Sequence, residues 1–213
     1  ECGAMPEIGA SFYNRINNND WRKLAFVAPE GTPLSGQEPF LDPEFAATYF
    51  DGPYIAIKFR PGQGNMEDPN VGAVVGYPMM RVEEMYFIEA EATAHQNPGN
   101  GLSLLKQFMT TYRYPTYNAT VSGDAAVVDE IIFQKRIELW GEGQNFFDVK
   151  RLNMSVTRFY NGTNFEDNET YNTVGRPAWM NFCIVAQEEN NNEALGGYNT
   201  PSPAGIYKPL TND

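Results

Sequence analysis

The sequence predicts a mainly α fold: tetratricopeptide-like helical hairpins with long irregular loops and a few short strands. Two observations lead to this reading. Between about residues 77 and 152 apolar side chains recur at helical spacing in successive segments, and the links between them are short and rich in Asn, Gly and Pro. On either side of that region Asn, Gly, Pro and acidic residues dominate, which is the composition of turns and loops. A chain of 213 residues is long enough to bury one sizeable core. We read a single domain over 1–213, with 1–76 mostly loops and extended segments, 77–152 helical hairpins and 153–213 a loop-rich closing region.

The elements follow in chain order. Tyr54-Ile-Ala-Ile-Lys-Phe59 reads as a short strand or extended segment, ended by the turn residues Arg60-Pro-Gly-Gln-Gly64. A first helix is expected from Pro78 to about His95, closed by Asn97-Pro-Gly. Val82, Met85, Tyr86, Phe87, Ile88, Ala90 and Ala92 make it apolar nearly all round, so it should be central and largely buried. A second helix is expected from Gly101 to Tyr112, capped by Asn100, with Leu104, Leu105, Phe108 and Tyr112 as one stripe. The short link makes these two helices antiparallel neighbours, with Phe108 against Tyr86 or Phe87. A third helix follows Asp124 as N-cap, with Val128, Ile131, Ile132, Lys135 and Leu139 at helical spacing. A fourth runs from about Gln144 to Leu152. Two helix-turn-helix pairs in succession suggest a right-handed tetratricopeptide-like stack, although the usual repeat signature is absent. Beyond Asn153, only Trp179 to Val185 reads as a strand or packed block.

Composition excludes several function classes. The net charge of −12 repels phosphate backbones and anionic membrane surfaces alike. No stretch is apolar for long enough to span a bilayer. His95 is the single histidine and no Cys-x-x-Cys occurs, so neither a metal nor any other cofactor is expected. Cys2 and Cys183 read as unpaired or buried thiols. The oxygen-rich Asn161–Glu169 stretch lacks the spacing of an EF-hand and reads as a solvated loop.

The segment from Ile132 to Leu152 contains the most chemistry. It places Glu138 and Glu142 on one helix face, breaks at Gly141 and Gly143, and then presents Asp148 and Arg151. Carboxylates at i,i+4 repel one another, and Leu139, Trp140, Phe146 and Phe147 around them imply partial burial. Buried charge needs partners, so at least one of the two should contact Arg151 or Arg81. Arg81 and Glu84, at i,i+3, can also pair locally. Arg81, Glu84, Glu138, Glu142, Asp148 and Arg151 are thus expected to form a structural network, with Gly143 present because the chain turns tightly there. Glycoside hydrolysis would need two such carboxyls across an open cleft; a structural ion pair is the simpler account, and no catalytic residue is assigned.

Three motifs in order carry a family resemblance. The pattern Glu138-Leu139-x-x-Glu142-Gly143-x-x-x-x-Asp148-Val149-x-Arg151 resembles the C-terminal part of the SusD/RagB family. Tyr77-Pro-Met-Met-Arg-Val-Glu-Glu-Met-Tyr-Phe-Ile-Glu-Ala-Glu-Ala92 is similar to that family's Arg-containing helix, and Phe182–Asn192 followed by Tyr198-Asn-Thr-Pro201 to its closing element. Gln134-Lys135, Asn145 and Ala186 depart from the usual residues. The resemblance covers about Asp20 to Pro201. It implies helical-repeat architecture in the C-terminal portion of a longer protein that is lipid-anchored at the surface of the outer membrane. It also implies a nutrient, above all a glycan, as ligand, and a SusC-like TonB-dependent transporter as partner, with no enzymatic activity. The alternative is a helical-repeat adaptor that binds protein alone. A sugar site needs an aromatic face against pyranose C–H groups and amide or guanidinium groups for the hydroxyls, on loops held by a rigid scaffold. Trp21, beside the Asn17–Asn19 run, and Trp179, beside Arg176 and Asn181, are the candidate ligand-binding residues.

Overall fold

The computed structural model describes residues 6–37, 52–59, 65, 68–76, 78–177, 180 and 184–195. Helices α1 (Ala10–Arg15), α2 (Pro69–Gly72), α3 (Val82–Gln96), α4 (Pro98–Tyr112), α5 (Asp124–Glu138), α6 (Gln144–Arg151) and α7 (Ala186–Asn191) occur in that order. A 3-10 turn, Trp21–Ala25, lies between α1 and α2, and another, Glu193–Leu195, follows α7. The chain divides into two compact units, Glu1–Glu142 and Gly143–Asp213. Their boundary falls at Gly143, inside the region read from sequence as helical hairpins.

The architecture is mainly α, as expected, with a helical hairpin in the first unit. The few short strands are reduced, among the described residues, to isolated antiparallel bridges. Ile55 pairs with Glu7, Ala56 with Phe26, and Thr157 with Asn172. The extended segment at Tyr54–Phe59 therefore exists, but each of its partners runs beside it for too short a distance to form a ladder. Of the Trp179–Val185 block, residues 179 and 181–183 lie outside the described residues, as do Cys2 and Cys183.

In the first unit α3 and α4 form the antiparallel hairpin, and α5 packs on both. Phe108 lies edge-on to Phe87 with ring centroids 5.2 Å apart, and tilted over Tyr86 at 5.3 Å. The link is tighter than the sequence suggested. Asn97, not Asn100, is the N-cap of α4, its side chain accepting from the Asn100 N–H, and Pro98 opens the helix. At the crossing, a Cβ on Gly101 would stand 2.5 Å from the Ala94 Cβ and 2.6 Å from its backbone, so only glycine lets the two helices approach this closely.

Three boundaries differ from expectation. Helix α3 starts at Val82, with Arg81 as its N-cap, so Pro78 precedes the helix by a full turn. Helix α5 begins at Asp124 itself, because Gly123 takes the cap position at φ 87°. Helix α3 is also not buried on all sides. Phe87, Ala90, Glu91 and Ala94 face inward, while Val82, Met85, Tyr86 and Ile88 are exposed. Its packing partners α4 and α5 cover one side only, which an all-round apolar pattern cannot reveal.

Described segments of the amino-terminal third pack onto α5. Ile8, Tyr13, Ile16, Phe26, Ala28 and Ala56 share a core with Ile137, and Phe12, Tyr54, Phe133 and Trp140 pack at its margin. Phe26 meets Trp140 edge-on at 5.1 Å and Tyr13 meets Tyr54 at 5.4 Å. The arrangement holds Tyr54 at φ 73°, unfavourable for a bulky residue. Its N–H donates to Val27 O (2.7 Å) and its carbonyl accepts from the Ile8 N–H (3.0 Å), so hydrogen bonds on both sides fix that conformation. In the second unit, buried Asn172 clamps a loop. Its Oδ1 accepts from the Arg158 and Phe159 N–H groups, both at 3.0 Å, and its amide donates to Phe159 O.

Candidate functional site

The carboxylates singled out in the sequence lie in a charge cluster in the first unit. Glu138, at the end of α5, is 7% exposed and faces three guanidiniums. Arg113 approaches it side-on, Nε to Oε2 at 2.8 Å and Nη2 to Oε1 at 2.9 Å. Arg81 reaches Oε1 at 3.2 Å and the backbone carbonyl at 2.8 Å. Arg22, only 4% exposed, donates to Oε2 at 3.3 Å. Burial alone would raise the Glu138 pKa, but the Arg113 hydrogen bonds and the charges of Arg113, Arg22 and Arg81 outweigh it and hold the carboxyl down at about 2.

Glu142 is held in the same way. Arg81 spans its carboxylate bidentately, Nε to Oε2 and Nη2 to Oε1, both 2.9 Å. Lys58 donates to Glu142 Oε1 at 2.5 Å and to the carbonyls of Glu138 and Trp140 at 2.8 and 3.0 Å. The turn that brings these groups together uses Gly141 at φ 77°, where a Cβ would collide with the Phe59 ring. Burial lowers the Lys58 pKa, with Glu142 opposing it, and the carboxyl of Glu142 is held below the usual range by Arg81 and Lys58 against its own burial.

The cluster continues into a relay of hydrogen bonds. Arg22 bonds Asp20 through Nε and Nη2 and donates to Gln134 Oε1 at 2.5 Å. The Gln134 amide donates to Glu130 Oε1 at 2.9 Å, and the Tyr117 hydroxyl donates to the same oxygen at 2.6 Å. Burial first, then that bond to Glu130, pushes the Tyr117 pKa upward.

Arg81, Glu138 and Glu142 are thus brought together, and Arg81 is the partner that the two carboxylates share. On the first turn of α3 the ion pair to Arg81 comes from Glu83 at 3.3 Å, while Glu84 returns its backbone N–H to the Arg81 carbonyl. Arg151 pairs with Asp148, three residues before it, at 2.8 Å in the second unit. Sequence reasoning missed Arg22, Arg113, Lys58 and Glu83. The signals present were an Asp-x-Arg step after an Asn run at Asp20–Arg22 and an arginine just past the end of α4.

Trp21 opens the 3-10 turn whose N-cap is Asp20, and its side chain is 53% exposed. The Arg113 guanidinium carbon lies 5.9 Å from its ring centroid. Arg176 is exposed in the second unit and donates to Lys150 O at 3.4 Å. Trp179 and Asn181 lie outside the described residues. Among the described residues no group of three or more His, Cys, Asp or Glu is placed to hold a metal ion, and no helix is long and apolar enough to cross a membrane.

Comparison with known proteins places the chain by family. It belongs to the SusD family, whose pattern matches residues 9–210. A solved structure described as a SusD-like carbohydrate binding protein, from Bacteroides vulgatus, shares the fold with a TM-score of 0.58 and 24% sequence identity. The match covers 92% of this chain and 42% of that one, so this chain spans less than half of that protein's length. No curated protein matches.

Proposed function

We propose that this chain is part of a non-enzymatic binding protein at the surface of the outer membrane. It captures a glycan and passes it to a SusC-like TonB-dependent transporter. The observation that carries this reading is family membership over residues 9–210. The chemistry of the charge cluster supports it. Glu138 and Glu142 each have both carboxylate oxygens engaged by cations, and Glu138, held at about 2, stays ionised near neutral pH and is unsuited there to the role of general acid. We read the cluster as scaffold and the ligand contacts as aromatic and amide groups, with Trp21 in the first unit and, separately, Arg176, Trp179 and Asn181 in the second as the candidates.

A protein-only adaptor is the second reading, favoured by the exposed row Val82, Met85 and Ile88 on α3. Calorimetric titration of the intact protein with a panel of oligosaccharides separates the two. Saturable binding that weakens on Trp21→Ala or Trp179→Ala is expected; absence of binding to every glycan leaves the adaptor. Release of new reducing ends from any polysaccharide would overturn the non-enzymatic assignment.

A further inference from the structure

Asparagine stands before glycine twice in this chain, at Asn100-Gly101 and at Asn161-Gly162. Such a step is chemically labile, because glycine has no Cβ to keep its amide nitrogen away from the asparagine carboxamide. The two steps stand in opposite settings. We propose that Asn161 is a site of spontaneous covalent modification, converting to aspartate and isoaspartate, while the fold protects Asn100. This inference is independent of what the protein binds.

Asn161 and Gly162 form the exposed tip of a turn in the second unit. The Thr163 N–H closes it, donating to the Tyr160 carbonyl at 3.2 Å, and Gly162 is its third residue at φ 77°, a value that favours glycine. Neither the Asn161 carboxamide nor the Gly162 N–H has a hydrogen-bond partner among the described residues. Nothing lies within 4 Å of the position a Gly162 Cβ would take, so nucleophile, carboxamide and water all have room. The base of the turn is held. Thr163 Oγ1 donates to Arg158 O at 2.8 Å and accepts from the Phe165 N–H at 3.2 Å, and Asn172 takes the Arg158 and Phe159 N–H groups. At the other step, Asn100 lies in the first turn of α4 and Gly101 is buried, its N–H donating to Asn97 O at 3.1 Å. Attack there requires that bond to break and the helix to unwind where α3 and α4 touch, and the opening must precede the reaction.

The chemistry needs only water. The Gly162 nitrogen gives up its proton to solvent and bonds to Asn161 Cγ, the bond from Cγ to the amide nitrogen breaks, and that nitrogen leaves as ammonia. Water then opens the cyclic imide. Opening at the side-chain carbonyl gives aspartate, and opening at the main-chain carbonyl gives isoaspartate, whose backbone runs through the former side chain. One water is consumed and one ammonia released, with no change of oxidation state. Either product adds a negative charge to a chain already at −12. Isoaspartate also lengthens the backbone by a methylene, which the Thr163 to Tyr160 hydrogen bond cannot accommodate, while the bonds to Asn172 lie outside the altered step.

The test ages the intact protein at mildly alkaline pH, folded and in parallel unfolded in urea. Peptides are then separated, and the Asn, Asp and isoaspartyl forms at each site are quantified by mass and retention. In the folded protein Asn161 should convert at least about tenfold faster than Asn100, equivalent to about 1.4 kcal/mol of barrier. In urea the two should convert at similar rates, because only the fold distinguishes them. Asn161→Gln, whose longer side chain must close a less favourable ring, should remove the product at that position and leave Asn100 as it was. Amide hydrogen exchange in the aged folded protein should quicken at Thr163 and stay slow at Arg158 and Phe159. Equal folded rates at the two sites overturn the protection of Asn100. An Asn161 that persists in the folded protein but converts in urea overturns the site itself, since the turn would then shield it. Exchange that quickens at Arg158 and Phe159 as well overturns the confinement of the change to the tip.

Discussion

At Glu138 three guanidiniums meet one carboxylate, and the consequence is a definite dependence on pH. The folded carboxyl is held at about 2 against an ordinary value of 4.5. In the unfolded chain it takes up its proton first as pH falls, so the native state binds fewer protons across that window. Stability is therefore fully present above pH 4.5 and lost progressively toward about 2, by roughly 3 kcal/mol from this group. Urea unfolding at stepped pH should show that slope, and Glu138→Gln should flatten it. Arg113→Ala should cost about 2–4 kcal/mol in the same measurement, because Arg22 and Arg81 remain but one face of a buried charge loses its hydrogen bonds. Glu138, Glu142 and Arg81 were legible in the sequence because carboxylates at i,i+4 in an apolar setting demand a cation. Arg22, Lys58 and Arg113, which lie 116, 84 and 25 residues from the carboxylates they bind, were not, because no motif marks them as the one around Arg81 does.

At the scale of elements, the α3–α4 hairpin turns on a close approach. Replacing Gly101 by Ala in a helix interior should ordinarily gain about 1 kcal/mol from propensity. Here the new Cβ meets Ala94 at 2.5 Å, and the separation or repacking it forces costs about 1–3 kcal/mol, so Gly101→Ala should be neutral to destabilising. The midpoint of urea unfolding checks the sign, and Gly99→Ala, whose nearest neighbour is 3.4 Å away, is the control that should show the propensity gain. The existence and pairing of these helices were legible because Asn97-Pro98-Gly99 stops one helix and starts the next within a few residues. The burial of α3 was not. Tyr86 and Ile88 look like core by periodicity, yet both stay exposed, because which side is covered depends on where α4 and α5 lie.

Across the whole molecule the excess of acidic residues restricts what can bind. If the glycan proposed as ligand is uncharged, its affinity for a chain carrying −12 should hardly change with salt. Raising ionic strength from about 0.01 to about 1 M shortens the Debye length from about 30 to about 3 Å. Over that range the Kd for a bound neutral oligosaccharide should stay within about twofold, whereas a charged ligand would change by much more. Calorimetry at the two salt concentrations reads this directly.

Local chemistry alone determined the helical class, the punctuation of the hairpin and the demand of Glu138 and Glu142 for cations. Each follows from residues within a few positions of one another, where spacing along the chain is spacing in space. The family resemblance, carried by motifs in order, was legible for the same reason. Only tertiary structure decided that Arg113, Arg22 and Lys58 converge on those carboxylates, that Trp21 stands exposed between buried neighbours, and that the extended segment at Ile55 meets its partners at single bridges. These depend on how distant segments pack, and no local pattern records the partner of a side chain that must cross the core to reach it.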